Sequence, residues 1–452
     1  MPESSSSPTR RKFVRDAGLI GSGLIGLPAS VLGIGETQSA NERLNVACVG
    51  VGGQGRSEVN GMKGENIVAM CDVDDVRAAE SFKQYPDVRK FKDFRRMLDA
   101  MGNEIDAVTV TTPDHMHFPI AMAAISAGKH VFVQKPMAHT VWEAREMTKA
   151  AKAAGVATQM GIQGHAGEGT RRIKEWIDDG AIGEVREVHC WTEKPNRVWR
   201  QGVDRPGGTS AIPGTLDWNL WLGVAPERPY HRDYMPFLWR GWWDFGSCAM
   251  GDMGCHVLDH PVTALELGAP NMLEAYSSPL NNETGPIASI IHFHFPARGT
   301  RPPVHLTWYD GGMMPPWPPE LHSEMRRGNN EGVMFIGSKG KLMAGCYGNA
   351  PRLIPESLHR SYEKPKPSIP SSIGHHAEWI AACKGGPPAG ANFDSSGPLT
   401  ETVQLGNVAI RAAAARHKRN GHDMRMEWDS EQLKSPNMTE AEQFVRQPHR
   451  AF

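Results

Sequence analysis

The stretch NVACVGVGGQG, Asn45 to Gly55, decides the fold of the first part of this sequence. Its opening residues, NVACV, form an apolar run that is typical of a buried strand. Glycines follow at the spacing G-x-G-x-x-G, at Gly50, Gly52 and Gly55. A strand that ends in such a turn and leads into a helix is the pattern of a dinucleotide-binding βα unit.

Each glycine of this turn suits a bound nucleotide for a different reason. Gly50 allows the tight turn, and Gly52 lets the backbone approach a pyrophosphate. Gly55 lets the following helix pack closely on the strand. Because free N–H groups at the start of a helix bind phosphates, we also assign Gly53 and Gln54 to the nucleotide site.

A second strand, NIVAMCD from Asn66 to Asp72, ends in a carboxylate. Asp72 stands at about the spacing expected of the acidic residue that binds the hydroxyls of the adenosine ribose. An acceptor at this position disfavours a 2′-phosphate. The sequence therefore favours NAD over NADP as the cofactor.

Strand and helix patterns continue to alternate after Asp72. The segments AVTVTTP (Ala107 to Pro113) and HVFVQKP (His130 to Pro136) are strand-like, and FPIAMAAISAG between them is helix-like. This alternation predicts a doubly wound parallel sheet with right-handed crossovers, which is a Rossmann domain. We place this domain at residues 41–164.

The composition and hydrophobic pattern of the sequence change after about Gly164. Loops rich in Trp, Pro and Gly separate strands with alternating hydrophobicity, such as SIIHFHF from Ser289 to Phe295. This pattern predicts an α+β domain with a mainly antiparallel sheet. We place the second domain at residues 165–452 and expect it to bind the substrate and to support a homo-oligomer, either a dimer or a tetramer.

Composition excludes several classes of function. The 452 residues include 49 Lys and Arg against 50 Asp and Glu, and no basic block recurs after the first fifteen residues. Nothing therefore predicts a nucleic-acid partner, and we expect a small neutral or polar substrate. The seven cysteines contain no C-x-x-C pair, which supports neither a disulfide framework nor a zinc finger.

The first forty residues read as a targeting segment. TRRKFVR, Thr9 to Arg15, places two arginines before a phenylalanine, and a Gly-rich apolar run follows from Ala17 to Ile34. This resembles a twin-arginine export signal. The apolar run is too short and too weakly hydrophobic to span a membrane comfortably. We expect a soluble protein that is exported already folded, to the periplasm or an equivalent compartment, without stable membrane insertion.

Several motifs appear together in a characteristic order. They are GVGGQG, Asp72, TTPDHMH (Thr111 to His117), AGKHVFVQKP (Ala127 to Pro136), GAIGEV (Gly180 to Val185) and GDMGCHVLD (Gly251 to Asp259). In this order and spacing the sequence resembles the glucose–fructose oxidoreductase, inositol dehydrogenase and rhizopine-catabolism (Gfo/Idh/MocA) family. The resemblance implies an NAD(P)-dependent oxidoreductase that acts on CH–OH groups.

The resemblance also implies roles for the residues that follow the strands. Lys135 matches the lysine of the family's Glu-Lys-Pro motif, which stands beside the nicotinamide and the reacting carbinol. A positioned ammonium can donate to the oxygen on which alkoxide charge develops. Gln134 departs from the usual glutamate but can still contact the nicotinamide ribose. The nucleotide site is further expected to include Thr111, Thr112, Pro113 and His117, although His117 could instead cap its helix.

GDMGCHVLD supplies a second candidate pair, Asp252 and His256. On a helix these residues lie one turn apart on one face and can act on one hydroxyl. By the match to the family, His256 is the expected general base, since an imidazole titrates near neutral pH. Asp252 would orient His256 or bind a neighbouring hydroxyl, and Pro261 would kink the helix. A purely structural pair remains the alternative.

A metal site is the competing interpretation of this segment. Cys255, His256, Asp259 and His260 are all possible ligands. Cys255 and His256 would point apart on a helix, however, and hydride chemistry needs no Lewis acid. We expect no metal.

Five residues are candidates for binding the substrate. Gln163 and His165 follow a strand that the family places facing the nicotinamide, and the others precede the catalytic segment, namely Arg240, Trp242 and Trp243. Aromatic faces beside polar groups suit a sugar ring. Tryptophans at this density are, however, equally typical of a core or an interface.

These observations predict an oxidoreductase that acts on a hydroxyl of a sugar, glycoside or cyclitol and that holds its cofactor tightly. One alternative is redox-neutral glycoside cleavage, in which bound NAD oxidises a sugar carbon transiently and the hydride then returns. The other is a non-catalytic protein that binds nucleotide or carbohydrate on the same scaffold.

Overall fold

The computed structural model describes residues 42–196, 198–321, 330–418 and 423–452. The predicted export signal falls at residues 1–40, outside the described residues. Within the described ranges, no helix is both long enough and apolar enough to cross a membrane.

Six parallel strands form the first sheet, as the sequence predicts. Their order is β3-β2-β1-β4-β5-β6, so the chain winds outward from β1 in both directions. The strands are β1 (Asn45–Val49), β2 (Asn66–Cys71), β3 (Arg89–Phe91), β4 (Ala107–Val110), β5 (His130–Gln134) and β6 (Thr158–Gly161). This is the Rossmann arrangement, in which ligands bind beyond the carboxyl ends of the strands.

Helices connect the strands on both faces of this sheet. They are α1 (Gln54–Gly61), α2 (Asp75–Gln84), α3 (Phe94–Met101), α4 (His117–Ser126) and α5 (Val141–Ala154). The start of α5 shows how local sequence sets these bounds. The side chain of Thr140 accepts a hydrogen bond from the backbone of Glu143, whose carboxylate accepts one from the backbone of Thr140. This capping box satisfies N–H groups that the helix leaves free, and Gly155 ends the helix in a left-handed conformation.

The second sheet has eight strands in the order β13-β12-β11-β7-β10-β9-β8-β14. Only the pairing of β7 with β10 is parallel, which agrees with the predicted mainly antiparallel sheet. Its strands are β7 (Val185–Thr192), β8 (Met272–Ser277), β9 (Ser289–Phe295), β10 (Val304–Tyr309), β11 (Glu331–Gly337), β12 (Lys341–Gly345), β13 (Arg352–Ile354) and β14 (Arg425–Glu427).

Eight more helices follow the first domain's helices along the described part of the chain. They are α6 (Glu168–Asp178), α7 (Trp218–Leu222), α8 (Cys248–Val257), α9 (Asp259–Ala264), α10 (Glu356–Ser361), α11 (His375–Cys383), α12 (Phe393–His417) and α13 (Glu442–Val445). The long helix α12 packs against α5 and β6 and also against α8 and β8. Because α12 contacts both sheets, this helix does not separate two domains. The boundary predicted between residues 164 and 165 stays a prediction.

Two polar contacts fix helix α8 beside the first sheet. The backbone N–H of Ser247 donates to the carboxylate of Asp114, which follows β4, over 2.9 Å. Gln404 on α12 donates from Nε2 to the hydroxyl of Ser247 over 2.8 Å. The helix ends four residues before Pro261, and a separate short helix follows, as the predicted kink requires. Residues on α8 are thereby brought to the carboxyl ends of the parallel strands.

Candidate active site

The glycine turn after β1 is closed too tightly for side chains. Gly50 has a φ of +75°, and a Cβ there would lie 2.5 Å from the carbonyl oxygen of Thr111. A Cβ on Gly55 would lie 1.8 Å from the carbonyl oxygen of Gly50, so only a hydrogen fits between α1 and the turn. The turn therefore leaves a smooth backbone surface at the start of α1.

Asp72 ties the end of β2 to this turn. One carboxylate oxygen accepts from the N–H of Val51 over 2.9 Å and from that of Gly52 over 3.2 Å. The other accepts from the N–H of Asp74 over 3.0 Å. Burial raises the pKa of Asp72, and these three donors oppose that rise. The carboxylate lines the main cavity, as its predicted contact with a ribose requires.

A cavity of about 650 Å³ runs past the carboxyl ends of β2, β1, β4 and β5. Asp72 and Phe94 lie toward the β2 and β3 end of the sheet. Lys135 and His256 lie toward the β5 end. Among the residues predicted for the nucleotide, the cavity lining includes Gly50, Gly52, Gly53, Gln54, Asp72, Thr111, Thr112, Pro113, Gln134 and Lys135.

The cavity lining fits a dinucleotide. The hydroxyls of Thr111 and Thr112 are buried without a hydrogen-bond partner among the described residues. A buried hydroxyl without a partner costs free energy, which polar groups of a ligand would recover. The glycine turn provides the backbone cradle at the start of α1. Both features suit the phosphates and riboses of a nicotinamide nucleotide.

Lys135 and Asp252 meet at the other end of the cavity. The ammonium of Lys135 lies 2.7 Å from one carboxylate oxygen of Asp252 and 2.8 Å from its backbone carbonyl oxygen. Arg240 donates from Nε to the same carboxylate oxygen over 3.0 Å. Burial alone would raise the pKa of Asp252, but Lys135 and Arg240 hold it well below its ordinary value. Asp252 is therefore an anion between two cations.

His256 lies one helical turn beyond Asp252 and lines the same cavity. Its Nδ1 is buried without a hydrogen-bond partner among the described residues. Burial and then the charge of Lys135 lower the pKa of His256 to about 3, so the imidazole is neutral at ordinary pH. The carboxylate of Asp252 binds Lys135 and Arg240 instead of orienting His256. The ring of Tyr347 packs edge-on against the imidazole, with 5.0 Å between ring centroids.

His117 does not line the cavity. Its ring nitrogens lie 2.7 Å from the carbonyl oxygen of Pro136 and 2.8 Å from that of Thr112. The imidazole therefore joins the loop after β4 to the loop that carries Lys135. His117 therefore links these two loops and lies outside the cavity lining, in which the expected contact with the nicotinamide would place it. Gly55 also lies behind the turn instead of on the cavity wall.

Of the five residues predicted to bind the substrate, two line the cavity and three do not. Gln163 and Arg240 line the cavity, and the guanidinium of Arg240 stacks on Trp239, 4.3 Å from the ring centroid. His165 instead lies 2.9 Å from the carboxylate of Asp259, which raises its pKa against the effect of burial.

Trp242 and Trp243 are buried away from the cavity. The indole N–H of Trp242 donates to the carbonyl oxygen of Asp233, and its ring packs in an aromatic cluster with Tyr234. Trp243 packs under the guanidinium of Arg411. Their large apolar surfaces fill the interior, whereas Trp239 and Phe237 line the cavity.

The four possible metal ligands have separate surroundings. Cys255 is buried, and His260 lies 2.9 Å from the carbonyl oxygen of Cys346. Asp259 contacts His165, and His256 faces the cavity lining. Among the described residues, no group of three or more His, Cys, Asp or Glu side chains is arranged to hold a metal ion.

Several cavity residues had no sequence signal that singled them out. They include Arg77, Lys194, Glu331, Tyr347 and Phe452. Lys194 and Glu331 follow and begin neighbouring antiparallel strands, with 3.8 Å between the ammonium and the carboxylate. Only knowledge of the pairing of β7 with β11 would have placed them together.

Two family models match consecutive segments of this chain. Residues 44–162 match the Gfo/Idh/MocA oxidoreductase family, NAD-binding Rossmann fold. Residues 170–273 match the C-terminal alpha/beta domain of the same oxidoreductase family. The matches cover the parallel sheet, both ends of the cavity and the helix that carries Asp252 and His256.

Named relatives share part of the sequence. Levoglucosan dehydrogenase from Pseudarthrobacter phenanthrenivorans is 26% identical over 40% of this chain and 38% of its own length. Inositol 2-dehydrogenase from Salmonella paratyphi B is 28% identical over 32% of this chain and 45% of its own length. The chain thus spans less than half the length of these two relatives.

The fold also matches solved structures. The WlbA dehydrogenase from Bordetella pertussis, in complex with NADH and UDP-GlcNAcA, aligns with a TM-score of 0.57. It is 18% identical, and the alignment covers 86% of this chain and 99% of that one. This similarity shows that the two chains share their fold.

Proposed function

We propose that this chain, whose matches support a place in the Gfo/Idh/MocA oxidoreductase family, is a nicotinamide-dependent oxidoreductase. It acts on a CH–OH group of a sugar, glycoside or cyclitol. The observation that carries the proposal is the position of Lys135, Asp252 and His256 at one end of a cavity that also runs past the glycine turn. A nucleotide held at the turn can thus reach a carbinol held beside Lys135.

The charges around Lys135 define what each side chain does. Asp252 fixes the position of the Lys135 ammonium, which donates to the substrate oxygen as negative charge develops there. His256 is neutral and lines the same cavity, so its imidazole is the proposed acceptor of the hydroxyl proton. Arg240 holds Asp252 from the other side. The nicotinamide, when bound, supplies the hydride acceptor.

Asp252 is unsuited to be the base itself. Its carboxylate is bound by Lys135 and Arg240, which hold its pKa far below the ordinary value. The imidazole of His256 is not part of this ion-pair cluster and lines the cavity, so His256 is the proposed acceptor. A protein that only binds a nucleotide has no need of this charged arrangement, which favours the enzyme over the non-catalytic alternative.

The proposed cofactor is NAD, with NADP disfavoured. The half-buried carboxylate of Asp72 lies at the end of β2, where the 2′-phosphate of NADP would meet a like charge. Arg77 also lines this end of the cavity, but its guanidinium lies near Gly53, at the turn that would bind the pyrophosphate.

The proposed location is an exported compartment reached by the twin-arginine route. TRRKFVR and the Gly-rich run after it support this proposal. The proposed partner, besides the carbohydrate or polyol substrate, is a second copy of the chain in a dimer or tetramer. Sedimentation of the purified protein and fractionation of the source cells test the two proposals separately.

The decisive experiment uses the protein as purified. Mass spectrometry of the denatured protein identifies any nucleotide that co-purifies, and equilibrium binding measures added NAD and NADP. The protein is then mixed with a panel of aldoses, glycosides and cyclitols while the absorbance of reduced nicotinamide is followed. Reduction by at least one of these polyols is expected. A protein that binds neither nucleotide would overturn the proposal.

A further inference from the structure

Residues 449–452 are fastened to three separate parts of the molecule. His449 lies with its Nε2 2.7 Å from a carboxylate oxygen of Glu143, the buried residue of the α5 capping box. Arg450 donates from its backbone to the carbonyl oxygen of Val224 over 2.9 Å. Its guanidinium donates to Asn219 and to the carbonyl oxygens of Gly223 and Ala225 at distances between 2.8 and 3.2 Å. This segment is therefore held in one position.

The third contact brings Phe452 to the cavity. The guanidinium of Arg95, near the start of α3, stacks on the Phe452 ring with 4.3 Å to the centroid. Arg95 also donates to the carbonyl oxygen of Phe452. The ring of Phe452 then lines the main cavity together with Phe94, Met116 and Ile120.

The position of this apolar group in the sheet indicates which part of a nucleotide it would meet. Phe94 follows β3 and Asp72 follows β2, whereas Lys135 follows β5. In the observed order, β2 and β5 are three strand spacings apart, or about 14 Å. If nicotinamide lies beside Lys135 and a ribose beside Asp72, the apolar end near Phe452 is left for the adenine.

We propose that Phe452 is a contact of the adenine ring and that residues 449–452 slow the release of the nucleotide. The inference rests on the proposed function, because it requires a nicotinamide dinucleotide in this cavity. An aromatic side chain held by Arg95 presents its face at little entropic cost, since the ring is fixed before the ligand arrives. Release then requires that adenine leave this face or that the segment detach.

The test measures dissociation of bound NADH in a stopped-flow experiment, with excess NAD as competitor and nicotinamide fluorescence as signal. Phe452→Ala is expected to raise the dissociation rate by roughly 5- to 150-fold, the range given by stacking of a base on an aromatic ring. Arg450→Ala, which removes the anchor without touching the cavity wall, is expected to raise it in the same direction. Phe452→Leu should fall between wild type and Phe452→Ala.

Phe444→Ala is the matched control. Phe444 is also half-buried, but it stacks on Arg411 away from the main cavity, so its loss should leave the dissociation rate unchanged. Thermal unfolding of each variant without ligand shows whether it folds.

The possible outcomes separate the two proposals. If wild type does not bind NADH, the proposed function fails. If wild type binds NADH and a folded Phe452→Ala releases it at the wild-type rate, the inference alone is wrong. Faster association and tighter binding by Phe452→Ala would also overturn it, since the ring would then occupy the adenine position.

Discussion

Gln134 at the end of β5 donates a hydrogen bond from Nε2 to the carboxylate of Glu58 on α1 over 2.7 Å. Glu58 is only 3% exposed, and it also contacts the imidazole of His376 at 2.6 Å. Because a carboxylate only accepts, the nitrogen of the Gln134 amide faces Glu58 and its oxygen faces away. A glutamate at position 134, which the family resemblance leads one to expect, would place two carboxylates together here. Gln134 and Glu58 thus form a matched pair.

The first prediction is that Gln134→Glu destabilises the protein by about 2 kcal/mol at neutral pH, since two buried carboxyls in contact cannot both ionise. The pair would then share a proton, and the folded pKa of the new carboxyl would be raised. A raised carboxyl pKa means that stability is regained as pH falls through it. Urea unfolding at about pH 7 and about pH 5 measures this difference.

The control is the swapped pair, Glu58→Gln with Gln134→Glu, which restores one carboxylate and one amide at the same contact. It should recover most of the lost stability. A single variant that is as stable as wild type at both pH values would contradict the proposed pairing.

The parallel sheet, the glycine turn and the residues at the Lys135 end of the cavity could be predicted, because short sequence motifs encode each of them. The glycine turn needs φ and space that only glycine provides at Gly50 and Gly55, so its sequence is diagnostic. The family resemblance assigns both Lys135 and Asp252 to the reacting hydroxyl, and the structure places the ammonium 2.7 Å from the carboxylate.

Other parts of the site depend on which distant segments meet, and no local pattern encodes that. Glu58 and His376 are 318 residues apart in sequence, and each alone reads as a surface residue of a helix. Trp242 and Trp239 are equally aromatic, yet only Trp239 lines the cavity, because the direction of each ring depends on the turn at residues 238–241. Phe452 is brought to the site by contacts of Arg450 and Arg95.

The second prediction concerns hydride transfer. Lys135→Met and His256→Gln should each lower its single-turnover rate by roughly 100-fold or more, because each removes a group that stabilises or accepts charge in the transition state. Nucleotide affinity should change little. His359→Gln, on α10 and outside the cavity lining, is the matched histidine control. A His256→Gln variant with a normal rate would remove His256 from the mechanism.

The second prediction extends to pH, because the pKa of His256 makes the stability of the protein depend on pH. Its folded pKa is depressed to about 3 from 6.5, so the folded protein keeps it neutral while the unfolded chain binds a proton. This contribution to stability is therefore present above pH 6.5 and is lost as pH falls toward 3. His256→Gln should reduce the acid sensitivity of unfolding in that window. The same low pKa predicts that the rate of hydride transfer shows no loss near pH 6.5 caused by His256. An NMR titration of the histidines checks the assignment.

The third prediction is that Asp252→Asn costs roughly 3 kcal/mol of stability at neutral pH, because Lys135 and Arg240 lose their shared counter-ion in a largely buried site. The folded pKa of Asp252 is depressed, so its contribution is present above the unfolded value of 3.8 and is lost as pH falls through the folded pKa. The two proteins should therefore converge in stability in strong acid. Denaturant unfolding across pH measures the gap, and a gap that is the same at every pH would contradict the ion pair.

The fourth prediction concerns cofactor choice. Asp72→Ser should narrow the preference for NAD over NADP by removing a carboxylate from the 2′-phosphate position. The variant should also bind NAD more weakly, because Val51 and Gly52 lose the acceptor that holds the turn. Asp72→Asn, which keeps an acceptor oxygen, separates these two effects. Tight NADP binding by the unaltered protein would refute the assignment.

The fifth prediction joins the proposed export signal to the proposed nicotinamide site. A Rossmann enzyme normally exchanges its cofactor with a cytoplasmic pool, but TRRKFVR would send this protein where free NAD is scarce. Because the twin-arginine route carries folded proteins, the nucleotide can be loaded before export if its release is slow. The cofactor must then be regenerated in place, either by reducing a second sugar or by returning the hydride to the same substrate.

We therefore expect the purified protein to keep about one NAD(H) per chain through gel filtration. An exported enzyme that released its nucleotide would find little free NAD to replace it. It should turn over substrate without added nucleotide and without net accumulation of NADH. A glycoside deuterated at the oxidised carbon distinguishes the two cycles, because the label returns to the same sugar in redox-neutral cleavage and appears in a second sugar in a ping-pong exchange. Protein refolded without nucleotide serves as the control and should be inactive until NAD is supplied. Activity that rises in proportion to added NAD in the native protein would instead indicate an ordinary dehydrogenase with an exchangeable cofactor.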